Sequence, residues 1–97
     1  MDTNTKWLGC KVSQGQFSGE FAVQGKLFDG TGFSLFVEEE DLRLDNEPLL
    51  GQSVDGFVRI TALQEQGDLC LVALPQPTME NGNSVTVHAN ELKEFSL

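Results

Sequence analysis

The stretch Thr31–Leu42, TGFSLFVEEEDL, returns fifty residues later as Asn81–Leu92, NGNSVTVHANEL. Gly32, Ser34, Val37 and Leu42 recur as Gly82, Ser84, Val87 and Leu92, while Leu35 becomes Val85 and Asp41 becomes Glu91. Upstream the spacing is forty-eight: Lys11-Val12-Ser13 reappears as Arg59-Ile60-Thr61, and Gly19-Glu20-Phe21 as Gly67-Asp68-Leu69. A repeat of this period implies two similar supersecondary units, neither able to bury its apolar face alone.

Within each unit the apolar residues alternate, which is the period of a strand. Trp7–Val12 sets Leu8, Cys10 and Val12 on one face, Glu20–Phe28 sets Phe21, Val23 and Leu27, and Phe33–Glu38 sets Phe33, Leu35 and Val37. Ser13–Gly19 and Asp29–Gly32 carry turn residues between them. The second unit reads as strands over Gly56–Leu63, Asp68–Leu74 and Ser84–His88, with a long connection at Pro75–Gly82. Glu39–Leu42 and Ala89–Leu92 read as matching single helical or 3₁₀ turns. Pro48 excludes a central strand from the join. Aligning the halves pairs Val12 with Ile60, Cys10 with Val58, Phe21 with Leu69, Val23 with Leu71, Leu35 with Val85 and Val37 with Val87, all expected to face inward.

These patterns predict a single all-β domain over residues 1–97. It is a small six-stranded barrel or roll built from two three-stranded antiparallel repeats, about 7–42 and 54–92, with approximate two-fold symmetry. Residues 43–53 join the repeats, 93–97 form a short tail, and no stretch holds a 3.6-residue period long enough for a substantial helix. The second half ends as strand, short turn and strand remnant, in the manner of SH3-like barrels, an analogy of fold alone.

Charge narrows the partners. A net charge of −9 with six basic residues repels phosphate, so direct binding to nucleic acid or to an anionic membrane is not expected. Met1–Lys6 has no apolar segment behind it and Leu69–Leu74 is too short to cross a bilayer, so a cytoplasmic location is expected. Cys10 and Cys70 lack metal or redox spacing and read as free, small apolar side chains.

Candidate functional residues come from differences between the halves. Phe17, Phe33 and Phe36 stand where the second half has Glu65, Asn83 and Thr86. Alternation turns Phe28 and Phe36 away from the core, and an outward aromatic on a small acidic chain suggests an interaction surface. Phe17, Phe28 and Phe36 are therefore the expected partner-binding residues, joined by the acidic edge Glu38, Glu39 and Glu40. The same acidic run also reads as a solvated edge that discourages strand-to-strand aggregation, because the alternating ligand spacing of a calcium loop is missing. Ser84 and His88 share a strand face but lack an orienting third group. No phosphate loop or zinc spacing is present.

The expected function is a non-enzymatic interaction or adaptor module that binds a protein partner or itself, with no catalytic residues, cofactor or metal. Two alternatives stand beside it. One is an acidic decoy that occupies the basic groove of a nucleic-acid-binding protein. The other is a small hydrolase or isomerase, which needs two acids converging in a concave pocket.

Overall fold

Period-two patterning becomes strand along the chain. The computed structural model describes residues 4–80 and 82–95; Met1–Thr3 of the polar start, Asn81 of the repeat, and Ser96 and Leu97 of the tail lie outside the described residues. The strands are β1 (Thr5–Gln14), β2 (Glu20–Lys26), β3 (Gly32–Glu38), β4 (Leu42–Leu44), β5 (Ser53–Gln66), β6 (Leu69–Ala73), β7 (Ser84–His88) and β8 (Leu92–Lys93). They form one antiparallel sheet in the order β3-β2-β1-β5-β6-β7, with β4 added to β5 and β8 added to β1. The six longer strands curl into a half-barrel. Two 3₁₀ turns, Glu39–Asp41 and Ala89–Glu91, follow β3 and β7, and no α-helix occurs among the described residues.

The middle of the sheet is the β1–β5 seam, where Thr5–Ser13 runs against Ser53–Thr61 and Leu8 faces Val58. Each short strand joins the far side of this seam. Leu42 of β4 pairs with Val58, and Leu92 of β8 pairs with Leu8. The chain that follows β3 is thus held by β5, and the chain that follows β7 is held by β1.

Side chains on one face of the sheet make the core: Leu8, Val12, Val23, Phe33, Leu35, Val37, Val58, Ile60, Cys70, Val72, Leu74, Val85 and Val87 are all buried. Fully burying one such valine or leucine stabilises the fold by about 1.5–3 kcal/mol. Burial in β6 departs from the expected phase. Cys70 and Val72 face inward, whereas Leu69 and Leu71 are only half-buried. Pairing with β7 explains this, since Cys70 lies across from Val87 and Val72 from Val85. A bulge at Leu63 absorbs the extra residue on β5.

The barrel is not closed by a ladder between β3 and β7. Instead, each end of the sheet is met by a turn or loop belonging to the other. Phe28, in the turn after β2, donates its N–H to Thr86 of β7 at 2.9 Å, and Met79, in the loop before β7, donates to Ser34 of β3 at 2.7 Å. The Glu80 carboxylate strengthens the second link, accepting from both the N–H and the hydroxyl of Ser34 at 2.8 Å each. Open strand edges invite pairing with another chain, and these contacts cap part of both edges.

On the opposite face Phe95 covers the seam, with its ring 6.1 Å from Trp7 and 5.1 Å from Phe57 in edge-on contact. The Arg43 guanidinium lies over Trp7 and Phe95 at 5.2 and 4.6 Å. This small second cluster ties down the start of the tail.

Candidate functional site

Strand alternation puts Ser34, Phe36 and Glu38 on the side of β3 away from the core, and Phe36 lies across from the small Ala22. The 3₁₀ turn then bends the chain so that Glu39 and Glu40 stay beside Glu38, while Asp41 turns inward. Phe36, Glu38, Glu39 and Glu40 come together with Glu20, Ser18, Gly19 and Gln76 around a surface depression of about 940 Å³. Glu20 stands directly across from Glu38 on the neighbouring strand. A hydrogen bond with Glu40, and then its charge, hold the Glu38 carboxyl above the ordinary glutamate range.

Asp41 is the exception in the acidic run. It is buried, and Nη2 of Arg59 donates to its Oδ1 at 2.6 Å. The remaining expected aromatics are not at the depression. Phe17 is 71% exposed on the loop after β1, whose next residues Ser18 and Gly19 reach the rim. Phe28 is 45% exposed in the turn after β2, beyond the end of the strand in which alternation placed it. Phe36 and the three glutamates therefore form one surface, and Phe17 and Phe28 flank other parts of the molecule.

A second cavity, of about 810 Å³, opens beside β1. β2 pairs with β1 only from Lys11 onward and β8 only at Trp7 and Leu8, which leaves the edge at Gly9 and Cys10 uncovered. Gly25 and Gly56 also line this cavity, with Phe33, Phe57, Glu80 and Glu91. A Cβ at Gly25 would lie 2.5 Å from the Phe33 ring, and one at Gly56 would collide with Leu44, so both close approaches require glycine. The sequence signal for this cavity was three glycines inside strands, which mark sites where backbone or ligand comes close.

Cys10 lines the same cavity, and burial, followed by the nearby Asp55 charge, pushes its pKa up to about 12. It stays a neutral thiol at physiological pH and is a poor nucleophile there. Among the described residues no three His, Cys, Asp or Glu side chains are arranged to hold a metal ion. His88 and Ser84 are both exposed on β7. Comparison with known proteins adds no relative: no family model, no curated protein and no solved structure matches the chain.

Proposed function

We propose that the chain is a non-enzymatic protein-binding module whose partner presents a basic segment to the depression around Phe36. The observation that carries this reading is a half-buried phenylalanine ringed by four carboxylates, Glu20, Glu38, Glu39 and Glu40, in one concavity. Like charges across from one another on neighbouring strands cost stability, and a cation placed between them removes that cost. The Glu38 carboxyl is held above the ordinary glutamate range first by its hydrogen bond with Glu40 and then by the Glu40 charge. A lysine- or arginine-bearing segment would relieve the repulsion while its apolar side chains cover Phe36. The net charge of −9 would steer it inward from a distance.

The two halves are read as copies of one ancestral unit, and the register supports this at a single offset of fifty. That offset corrects the forty-eight read for the upstream strands: Val58 then matches Leu8 rather than Cys10, and Arg59 matches Gly9 rather than Lys11. Leu8 faces Val58, Leu42 and Leu92 pair with those same two residues, and Arg43 pairs with Phe57 as Lys93 pairs with Trp7. Under that equivalence the places of Phe36, Glu38, Glu39 and Glu40 are taken by Thr86, His88, Ala89 and Asn90. One copy has kept the fold alone and the other carries the binding surface.

Calorimetric titration with a short peptide alternating arginine and leucine tests the reading. Phe36→Ser and the triple change E38Q/E39Q/E40Q should each weaken binding by about tenfold or more, as loss of an interface hot spot does, with the fold intact by circular dichroism. Unchanged affinity in both variants would remove the proposal.

A further inference from the structure

The cavity beside β1 has a smaller counterpart in the other half, about 280 Å³, lined by Arg59 and Ile60. On β5 the side chain of Arg59 reaches Asp41, in the 3₁₀ turn before β4, at 2.6 Å. The matching positions in the register are Gly9 on β1 and Glu91 in the turn before β8. Trp7 faces Arg59 as Phe57 faces Gly9, and Leu42 takes the place on Val58 that Leu92 takes on Leu8. The carboxylate is present in both halves, but the arginine is present in only one. A Cβ built on Gly9 would meet nothing closer than the Phe57 ring at 3.8 Å and the Glu91 carbonyl and carboxylate oxygens at 3.9 and 4.0 Å. The Glu91 side chain makes no ion pair or hydrogen bond among the described residues. It hangs at the edge of an open cavity of about 810 Å³.

We propose that this notch receives an arginine side chain from a partner protein, with its guanidinium on Glu91 and its stem along Gly9 and the Phe57 ring. The incoming group takes the place that Arg59 fills in the other half. Arginine fits better than lysine because its planar fork matches a carboxylate with two parallel hydrogen bonds and stacks on an aromatic ring. The inference rests on the equivalence of the halves and not on the Phe36 depression, from which the notch differs in every lining residue.

The test is an amide-resonance titration of the full chain with N-acetyl-arginine amide. Its neutral isostere N-acetyl-citrulline amide and N-acetyl-lysine amide serve as controls. The arginine compound should shift Gly9, Gly25 and Gly56, the citrulline compound should leave them still, and the lysine compound should bind more weakly. Glu91→Gln should weaken the response about tenfold. Gly9→Arg supplies the guanidinium from within, so it should abolish the response and raise the thermal midpoint. An equal response to citrulline or lysine, full affinity in E91Q, or silence at all three glycines would overturn the proposal. Failure of the Phe36 surface leaves these three amides unaffected, so the two ideas fail separately.

Discussion

Two ion-paired carboxylates, Asp41 and Asp55, differ because of what lies next to them. Asp41 is 8% exposed and held by Arg59, whose side chain is 49% exposed, so the pair is screened on one side only. Arg59→Met should leave a buried carboxylate without its donor and cost about 1–2 kcal/mol in urea denaturation. Lys11→Met, which removes a pair exposed on both sides, should change stability by less than about 0.5 kcal/mol. Protons separate the exposed acids too. The Ser34 N–H, then its hydroxyl, hold Glu80 below the ordinary glutamate range, so its clamp on β3 is intact at neutral pH and is lost as pH falls through that lowered value. Glu38 has the opposite sign. Its pKa is raised by Glu40, so the crowding is relieved in mild acid and returns as pH rises through the raised value. Carbon-13 titration of the carboxyl groups should show Glu38 taking up its proton at higher pH than Glu80. The reverse order would contradict both hydrogen-bond assignments.

At the level of strands, two glycines are fixed by their neighbours rather than by turns. Gly25→Ala should press on the Phe33 ring, and Gly56→Ala on Leu44 and Val12. Each should cost about 1–3 kcal/mol by overpacking, measured as a drop in thermal midpoint. Most strands were legible because alternation is a local signal: Ser84–His88 is a strand from end to end, and the 3₁₀ turns fall after β3 and β7 as expected. What escaped depends on distant partners. Nothing local marks Leu63 as a bulge, so sequence alternation alone puts the inward residues of β6 one position away from Cys70 and Val72. β4 and β8 are three and two residues long and exist only because β5 and β1 have free edges to receive them. The site was half legible for the same reason. Phe36 and the glutamates are neighbours in sequence and stay together, but Glu20 and Gln76 reach the depression through the fold. Phe28 left the expected face because β2 stops at Lys26.

Across the whole molecule, a half-barrel of 38 × 32 × 18 Å carries nine more negative than positive charges. Self-repulsion at that density opposes the folded state and is screened by salt, so the thermal midpoint should rise from low to physiological ionic strength. A midpoint that falls or stays level would mean that local ion pairs outweigh the overall field. The same asymmetry underlies the functional account, in which two halves of one sheet differ chiefly in what they present on their outer surfaces. The most direct measurement is an amide-resonance map of the full chain during titration with the arginine–leucine peptide. The account predicts movement at Phe36, Glu38, Glu39 and Glu40, with stillness at Thr86, His88, Ala89 and Asn90, the matching places of the second half. Equal movement in both sets, or movement confined to the second, would contradict it.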